Sequence, residues 1–400
     1  MRHIYVMGAK SIGMYGGFES FVMQLLRHHE DRTDIKYHVA CKANGYGSMK
    51  EGEAGGGISR SRFFYCNSDC FLIKVPEHIG NAQAIIYDIK TLKWICEHIE
   101  KHHIRNPIVY ILASRIGPFE RKYVKRIHAA GGYVFQNPDG HENRRRKYTA
   151  PVRMYWKLSE RYAVKYADMV ICDNTHIEDY IKEEYRSYKP KTKYIAYGAD
   201  INASVMGDDD PKYVKWLRKN GLEGRSFYVS VGRFVPENNF DIMIREFMNS
   251  HTDKPLVMIR TENPGYEARL RKELKFDKDP RIKLADSVYD QELLAKIRAN
   301  AYGYLHGHEV GGTNPSLLEA LGNTKLNLIY DVPYNREVAL DAALYWNKKE
   351  GSLAGLIDRA DRIAPSVLSE LNEKAKKRIR DDYSWSYICD KYAALFSAGS

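Results

Sequence analysis

Short apolar segments alternate with amphipathic helical patterns along most of the chain, and this alternation limits its fold more than any other feature. The strand-like segments of the first half are HIYVMGA, KYHVACKA, NPIVYILAS, GGYVFQN and ADMVICDN, with helical patterns such as AIIYDIKTLKWICEHIEKH between them. Strands separated by helices pair in parallel, because each helix carries the chain back to the start of the next strand. We therefore predict an α/β protein built on a doubly wound parallel sheet.

The pattern is interrupted at residues 194–214 and then begins again. YIAYGADINASVMGDDDPKYV is rich in Gly, Asn and Asp, and a second series of strand-like segments follows it: SFYVSVGRF, KPLVMIR, RIKLA, YGYLHGH and KLNLIY. A chain of 400 residues is also too long for one ordinary core. We predict two facing Rossmann-like domains, at residues 1–200 and 201–380, with a helix at 381–400 that returns to the first. Such sheets bind ligands at the carboxyl ends of their strands, in this case in an interdomain cleft.

The segment HGHEVGGTNPSLLEALG, residues 306–322, has the pattern of a loop that leads into a helix. Asn314 is a suitable N-cap, and Pro315 fits the first helical position because its missing N–H would have no partner there. The leucines that follow form an apolar stripe, and Gly322 predicts the end of the helix.

Gly311 and Gly312 allow a ligand to approach the backbone, where unpaired N–H groups and the positive end of the helix favour a phosphate. Glu319, about one turn into the helix, is expected to accept hydrogen bonds from sugar hydroxyls. The alternative is a capped core helix with a solvated Glu319. Two further loops of this kind follow strands, MGAKSIGMYGGFES and VGRFVPENN, and together the three favour a phosphate ligand.

The net charge of +11 indicates an anionic partner. Residues 141–167, HENRRRKYTAPVRMYWKLSERYAVKYA, concentrate basic side chains among tyrosines and a tryptophan. This combination is typical of a segment that lies on an anionic membrane. It is also compatible with a solvated helix face whose aromatic rings pack inward. Binding to nucleic acid is not predicted, because no helix-turn-helix, zinc-finger or ribonucleoprotein motif accompanies the charge.

Several classes of protein do not fit the sequence. The glycines after the first strand lack the G-x-G-x-x-G spacing of a dinucleotide-binding oxidoreductase, and no P-loop motif occurs. No segment has the apolar length of a membrane span, and the N-terminus lacks the pattern of a signal peptide, so we expect a cytoplasmic location. The six cysteines are scattered, which is typical of reduced thiols.

Three possible metal motifs have simpler structural interpretations. Cys66 and Cys70 lack a second pair at zinc spacing, and the helical pair His98 and His102 lacks the adjacent glutamate of a zinc protease. Residues 208–210, DDD, resemble an acidic metal–nucleotide motif but lie among turn residues, where we expect a solvated loop. No metal is expected.

Longer motifs connect the chain to a known family. GRFVPENN, YGYLHGHEVGGTNPSLLEAL and NLIYDVPYNREV, in this order, with MYGGFES near the start, resemble the family 4 retaining glycosyltransferases of the GT-B fold. YGGFE, SRIGPF, NPDG, ICDN and AYGAD resemble more narrowly the bacterial β-1,4-L-rhamnosyltransferases of cell-wall and capsular polysaccharide synthesis. The resemblance covers nearly the whole chain.

The resemblance implies that the second domain binds a nucleotide sugar, dTDP-β-L-rhamnose, and the first an undecaprenyl-diphosphate-linked GlcNAc or Glc. It assigns donor binding to these positions: Gly16, Gly17, Arg233, Arg260, Val288, Tyr289, Gly311, Gly312, Thr313, Asn314 and Glu319. It places at the acceptor Glu19, His141 and Tyr197. Groups considered for catalysis are Asp139, Asp173, Arg233 and Glu309.

Three positions depart from the family pattern. Asn238 replaces a lysine that would contact the diphosphate, and Arg260 and Thr261 replace a glycine pair, so we expect Arg260 to supply the missing charge. Gly311 stands at the first position of the usual two-glutamate motif, with Glu309 two residues earlier. The sequence thus predicts a metal-independent rhamnosyltransferase, peripheral at the inner face of the cell membrane. A UDP-glucose or UDP-GlcNAc transferase and a non-catalytic anion- or membrane-binding protein remain alternatives.

Overall fold

The computed structural model of the protein describes residues 1–13, 16–45, 47–49, 61–201, 204–224 and 226–398. These residues form two compact units. The first consists of Met1–Arg144, Tyr148–Tyr197 and Trp385–Ser400, and the second of Arg145–Lys147 and Gly198–Ser384.

The strands, numbered in chain order, are β1 Arg2–Met7, β2 Ile35–Lys42, β3 Arg62–Tyr65, β4 Ser68–Ile73, β5 Ile108–Leu112, β6 Tyr133–Asn137, β7 Met169–Cys172, β8 Thr192–Tyr194, β9 Tyr228–Gly232, β10 Leu256–Arg260, β11 Ile282–Asp286, β12 Gly303–His306, β13 Asn327–Tyr330 and β14 Leu344–Trp346. The helices are α1 Gly17–His28, α2 Gln83–Lys101, α3 Gly117–Ala129, α4 Ala150–Tyr166, α5 Thr175–Glu184, α6 Pro211–Lys219, α7 Phe240–Met248, α8 Pro264–Leu274, α9 Gln291–Asn300, α10 Pro315–Asn323, α11 Pro333–Ala339, α12 Ser352–Ala360, α13 Pro365–Arg378 and α14 Trp385–Ser397.

The first unit contains, among its described residues, an eight-stranded sheet in the order β3-β4-β2-β1-β5-β6-β7-β8. The doubly wound sheet predicted from the sequence is confirmed, but it is not parallel throughout. β3 runs antiparallel to β4, because the turn between them, with Cys66 at a φ of +48°, reverses the chain at the sheet edge.

Helix α14 belongs to the first unit and completes its core. The ring of Phe396 is buried, and the hydroxyl of Tyr392 is 3.0 Å from that of Tyr110 on β5. On α14, the carbonyl oxygen of Cys389 is 3.0 Å from Nε2 of His29, which follows α1. Residues more than 350 positions apart in the sequence therefore share one core.

The second unit contains, in its described part, a six-stranded parallel sheet in the order β11-β10-β9-β12-β13-β14. The strand order reverses between β9 and β12, and their carboxyl ends are where a doubly wound sheet binds ligands. The DDD stretch is structural: Asp210 caps α6 by accepting the N–H of Lys212 at 2.8 Å, and Asp208 pairs with Lys296 at 2.8 Å.

Helix α10 begins where the sequence predicted but ends one residue later than Gly322, at Asn323. Gly322 lies inside the helix, and a Cβ at that position would stand 2.6 Å from the carbonyl oxygen of Asp200. The glycine is therefore required by close packing against the chain near Asp200, and the expectation that it ends the helix is wrong.

Candidate functional site

Two loops meet at the reversal point of the second unit. One follows β9 and carries Arg233; the other, Gly307–Asn314, joins β12 to α10 and is called the glycine loop below. Asn238 connects them, because its Nδ2 donates to the carbonyl oxygen of Arg233 at 2.7 Å and its Oδ1 is 2.9 Å from Nδ1 of His308. The residue in place of the expected lysine thus holds the two loops together.

Two more amides fix the first part of the glycine loop. Nδ2 of Asn239 donates to the carbonyl oxygen of Gly307 at 2.8 Å, and Nδ2 of Asn335 donates to that of His308 at 2.9 Å. Both amides are buried, so breaking either bond would leave a buried polar group without its partner. The loop is thus held by side chains from two different segments.

The start of α10 has the geometry predicted for it. Oδ1 of Asn314 accepts the N–H groups of Ser316 at 2.9 Å and Leu317 at 3.3 Å. Gly311 has a φ of +139°, which L side chains rarely adopt, and a Cβ there would lie 3.0 Å from Nε2 of His308. No acidic residue occurs in the first turn of this helix. An anion at this end would therefore meet the helix dipole without opposition from the first turn.

A buried arginine contacts two side chains of α10, one of them in its first turn. Arg298, on α9, is 2% exposed and contacts Oε2 of Glu319 at 2.7 Å. Its Nη2 also donates to Oγ of Ser316 at 3.0 Å, and that oxygen is 2.9 Å from the hydroxyl of Tyr304. Glu319, predicted to bind ribose hydroxyls, is thus oriented through one of its oxygens by a buried guanidinium.

Glu309 and Arg260 have charged partners in the second unit. Glu309 lies 2.7 Å from Nζ of Lys348 and 3.4 Å from Nη2 of Arg146. Arg260, expected to replace the missing positive charge, forms a 2.6 Å ion pair with Glu267. A diphosphate would have to compete with that carboxylate for the Arg260 guanidinium.

The remaining donor positions are placed as follows. Gly312 and Thr313 are buried within the glycine loop. Val288 and Tyr289 follow the carboxyl end of β11, and Tyr289 is 62% exposed.

Burial disfavours the charged form of the two histidines at the end of β12 and in the glycine loop. It lowers the pKa of His306 to about 3 and that of His308 well below its ordinary value. His306, Arg145 and Arg233 add to the effect on His308 because they are positive charges, or potential ones, close to its ring. Positive charge at the glycine loop is therefore carried by arginines near neutral pH.

In the first unit, α1 starts at the glycine pair after β1, where Met14 and Tyr15 of the predicted motif lie outside the described residues. Oε1 of Glu19 accepts the N–H of Lys10 at 3.0 Å, and a Cβ on Gly16 would collide with Oε2 of the same carboxylate. Around Gly17 there is open space at the Cβ position. The start of α1 therefore has a carboxylate of its own chain folded against it.

The acceptor and catalytic positions lie after successive strands of the first sheet. Asp139 follows β6 with a φ of +59°, and its N–H donates to Oδ1 of Asn137 at 2.8 Å. His141 is buried against the ring of Tyr180, and burial, with Arg144 and Lys157 adding to it, lowers its pKa to about 4.

Asp173 follows β7 and Tyr197 follows β8, and both side chains are buried. Arg115 is not among the predicted site residues. At 2.9 Å its Nη1 donates to the buried carboxylate of Asp88, and at 3.3 Å to the carbonyl oxygen of Gly8.

The basic segment does not act as one element. Arg145–Lys147 belong to the second unit, whereas α4 belongs to the first. Along α4 the aromatic rings are half-buried, and the exposed apolar side chains are Val152, Met154 and Leu158. The half-buried rings fit the predicted alternative in which the aromatic side chains of this segment pack inward, while the exposed apolar side chains of α4 are aliphatic.

Among the described residues, none of the helices has both the length and the apolar composition needed to span a bilayer. No curated protein matches the chain.

Solved structures share the fold over nearly the full length. Sucrose-phosphate synthase from Thermosynechococcus elongatus is 14% identical with a TM-score of 0.74, covering 100% of this chain and 99% of that one. α,α-Trehalose 6-phosphate synthase from Burkholderia multivorans is 12% identical with a TM-score of 0.74, covering 99% and 98%. The E. coli trehalose-6-phosphate structure bound with UDP-2-fluoro glucose is 12% identical with a TM-score of 0.73, covering 99% of each chain. At these identities the likeness shows the fold, and it confirms the prediction of two Rossmann-like domains of the GT-B type.

A family model described as "Domain of unknown function (DUF1972)" matches residues 1–200. Because this match covers half of the 400 residues, the chain belongs to the DUF1972 family.

Proposed function

We propose that the protein is a glycosyltransferase that uses a nucleotide sugar, with the donor held in the second unit. The observation that carries the proposal is the start of α10, which combines a glycine at a φ of +139°, a capped helix end without acidic residues in its first turn, and an arginine, Arg233, whose charge acts on His308. Among proteins of the same fold, one is bound to UDP-2-fluoro glucose.

The proposed chemistry is transfer with retention and without a metal. Backbone N–H groups of the glycine loop, the α10 dipole and Arg233 stabilise the charge that develops on the leaving diphosphate. The bond from the sugar to the phosphate oxygen breaks as the acceptor oxygen attacks the same face. The leaving phosphate oxygen takes the acceptor proton. If a side chain acts as a covalent nucleophile instead, the candidates are the carboxylates of Asp139 and Asp173.

For the donor we propose dTDP-β-L-rhamnose, and for the acceptor a lipid-diphosphate-linked GlcNAc or Glc that receives a β-1,4 linkage. The motifs shared with rhamnosyltransferases support this choice, as does Gly311 at a position where a glutamate would contact a sugar hydroxyl. A 6-deoxy sugar has fewer hydroxyls to bind. UDP-glucose or UDP-GlcNAc is the alternative donor, and Glu19, His141 and Tyr197 are proposed for the acceptor.

A transfer assay tests the proposal. We expect label from dTDP-rhamnose, and not from UDP-glucose or UDP-GlcNAc, to reach an undecaprenyl-diphosphate sugar, with EDTA leaving the rate unchanged. Arg233→Ala should reduce the rate about 100-fold, the usual cost of losing one stabilising donor. Arg218→Ala, which removes a side chain that is 72% exposed on α6, is the matched control and should keep full activity. Transfer from a UDP-sugar would select the alternative donor, and no transfer from any of them would favour a non-catalytic binding protein.

We also propose that α3 and α4 form a surface that lies on an anionic membrane. Its exposed apolar side chains are Phe119, Val152, Met154 and Leu158. The exposed basic side chains around them are Arg121, Lys122, Lys125, Arg153, Arg161 and Lys165. The carboxylates of these two helices, Glu120 and Glu160, are both buried. Apolar insertion and attraction to anionic lipid would therefore act together, with no exposed carboxylate on either helix to oppose them.

Vesicle flotation tests this surface. The protein should float with vesicles that contain phosphatidylglycerol and stay behind with neutral phosphatidylcholine vesicles. Met154→Glu should reduce flotation strongly, because it places a charge in the most exposed apolar position of α4. Val367→Glu, at a 44% exposed position on α13, is the matched control. Equal flotation with neutral vesicles would contradict the proposal.

A further inference from the structure

Arg145 differs from the arginines on either side of it. Arg144 and Arg146 are exposed, whereas Arg145 is 6% exposed. It belongs, with Arg146 and Lys147, to the second unit, although the preceding and following residues belong to the first. Burial of a long cationic side chain is costly unless its charged group is paired, so the groups that Arg145 faces matter.

Backbone and side-chain contacts place the short segment on the loops after β9 and β12. The N–H of Lys147 donates to Oε1 of the buried Glu237 at 3.0 Å, and Glu237 in turn accepts the N–H of Glu309 through its backbone carbonyl at 3.0 Å. Arg146 lies 3.4 Å from Glu309. The two residues that follow Arg145 are thus fixed to these loops.

The guanidinium of Arg145 faces the glycine loop. A Cβ built on Gly311 would lie 4.0 Å from its Nη2 and 3.0 Å from Nε2 of His308. Arg145 and Arg233 are both close enough to His308 to oppose its protonation. The Arg145 guanidinium therefore lies at the end of α10 that favours anions, and the charge of Arg233 acts on the same histidine.

We propose that Arg145 is a second arginine for the donor diphosphate, reaching over the glycine loop to a phosphate oxygen while the loop's N–H groups bind from the other side. This inference rests on the proposed function. A guanidinium suits the role because its planar donors match two phosphate oxygens at once. Arg145 would then supply the positive charge that is missing because Asn238 replaces a lysine. Arg260 is less suited to supply it, because its guanidinium is paired with Glu267.

Isothermal titration with dTDP, UDP and inorganic pyrophosphate tests the inference without relying on transfer. Arg145→Met keeps much of the side-chain length and removes the charge, and we expect it to weaken all three ligands at least about tenfold. Because Arg145 contacts phosphate and not the base, the factor should be the same for dTDP and UDP. Arg145→Lys, which keeps the charge but cannot bridge two oxygens, should lose at least about threefold. Arg218→Ala is the matched control and should bind like the wild-type protein.

The outcomes separate this inference from the proposed function. Unchanged affinity in Arg145→Met overturns the role of Arg145 and leaves the transferase proposal standing. If the wild-type protein binds none of the three ligands, both proposals fail together. Should Arg145→Met lose its folded circular dichroism signal, Arg145→Lys decides, and unchanged binding in that variant overturns the inference.

Discussion

The starts of α1 and α10 look alike in sequence, since each follows a strand and a glycine pair, yet the structure gives them opposite electrostatic character. At α1, the carboxylate of Glu19 lies in the first turn and against Gly16. At α10, the cap is the neutral amide of Asn314, the first turn has no acidic residue, and Arg145 lies across the loop. The start of α1 has a carboxylate of its own chain against it, whereas the start of α10, where we propose that the donor diphosphate binds, has none in its first turn.

This contrast shows that a glycine loop before a helix is not enough to define a phosphate site. Both helix ends have backbone N–H groups. They differ in the residue at the third helical position and in the charges across the loop. The predicted role of Gly16 and Gly17 at the donor phosphate therefore requires Glu19 to move or to bind the sugar itself. Four experiments test whether the two helix ends differ in this way.

The largest expected effect is an acid-induced opening of the glycine loop. Burial holds the pKa of His306 at about 3 and that of His308 well below 6.5, so both contribute stability that is complete above pH 6.5. That stability is lost as pH falls toward the folded-state values, because the open loop binds protons that the closed loop excludes. At pH 5 the loss from His306 should be about 2 kcal/mol, and His308 should add a loss of the same sign.

Hydrogen exchange, corrected for its intrinsic pH dependence, measures this opening for peptides that cover 304–313. Peptides that cover 17–24 at the start of α1 contain no histidine and serve as the internal reference. Equal protection of the glycine loop at pH 7 and pH 5 would contradict the prediction.

The second-largest effect is expected from alanine substitutions in the two glycine pairs, which should differ in their effect on the free energy of unfolding. Gly311→Ala forces a Cβ into a φ of +139° and against His308, which should cost about 1–3 kcal/mol of unfolding free energy and most of the diphosphate affinity. Gly17→Ala has open space at its Cβ and should be neutral or stabilising by up to about 1 kcal/mol. Gly351, at a φ of +76° with open space around it, controls for backbone strain alone. Denaturant melts and dTDP titration would show the difference, and a Gly311→Ala protein with wild-type affinity would refute the assignment.

Asn314→Asp makes α10 resemble α1. Aspartate caps a helix as well as asparagine, so unfolding free energy should change by less than about 1 kcal/mol. The added negative charge should nevertheless weaken dTDP binding at least about tenfold, since two like charges a few ångströms apart near a protein surface repel by a few kcal/mol. Asn263→Asp, at the cap of α8, provides the control for the same chemical change elsewhere. Tighter dTDP binding by Asn314→Asp would exclude an anion at this helix end.

Glu19→Gln makes the reverse change and should have the smallest effect. The amide oxygen can still accept the N–H of Lys10, so only the charge–dipole term is lost, about 0.3–1 kcal/mol. Denaturant melts at low and high salt would detect it, because screening reduces a term of this kind. A loss well above this range would mean that Glu19 has a larger structural role.

Features that depend on neighbouring residues were predictable from the sequence, and those that depend on distant ones were not. The start of α10 was predicted because its cap, its proline and its apolar stripe are consecutive. β8 and β14 were missed because each has three residues, too few to show a period. Arg298 could have been noticed, since it lies four residues after Leu294 on the buried side of α9, where a charge needs a partner. Nothing within RRRK distinguishes Arg145 from the others.

The position of α14 has a consequence for how the protein is made. Its side chains complete the core of the first unit, but the ribosome synthesises residues 385–397 only after the whole second unit. Until α14 is synthesised, the core of the first unit is incomplete and the surface around Tyr110 stays uncovered. The second unit can already complete its own core at that stage. We therefore expect truncated chains that end before residue 385 to aggregate in cells.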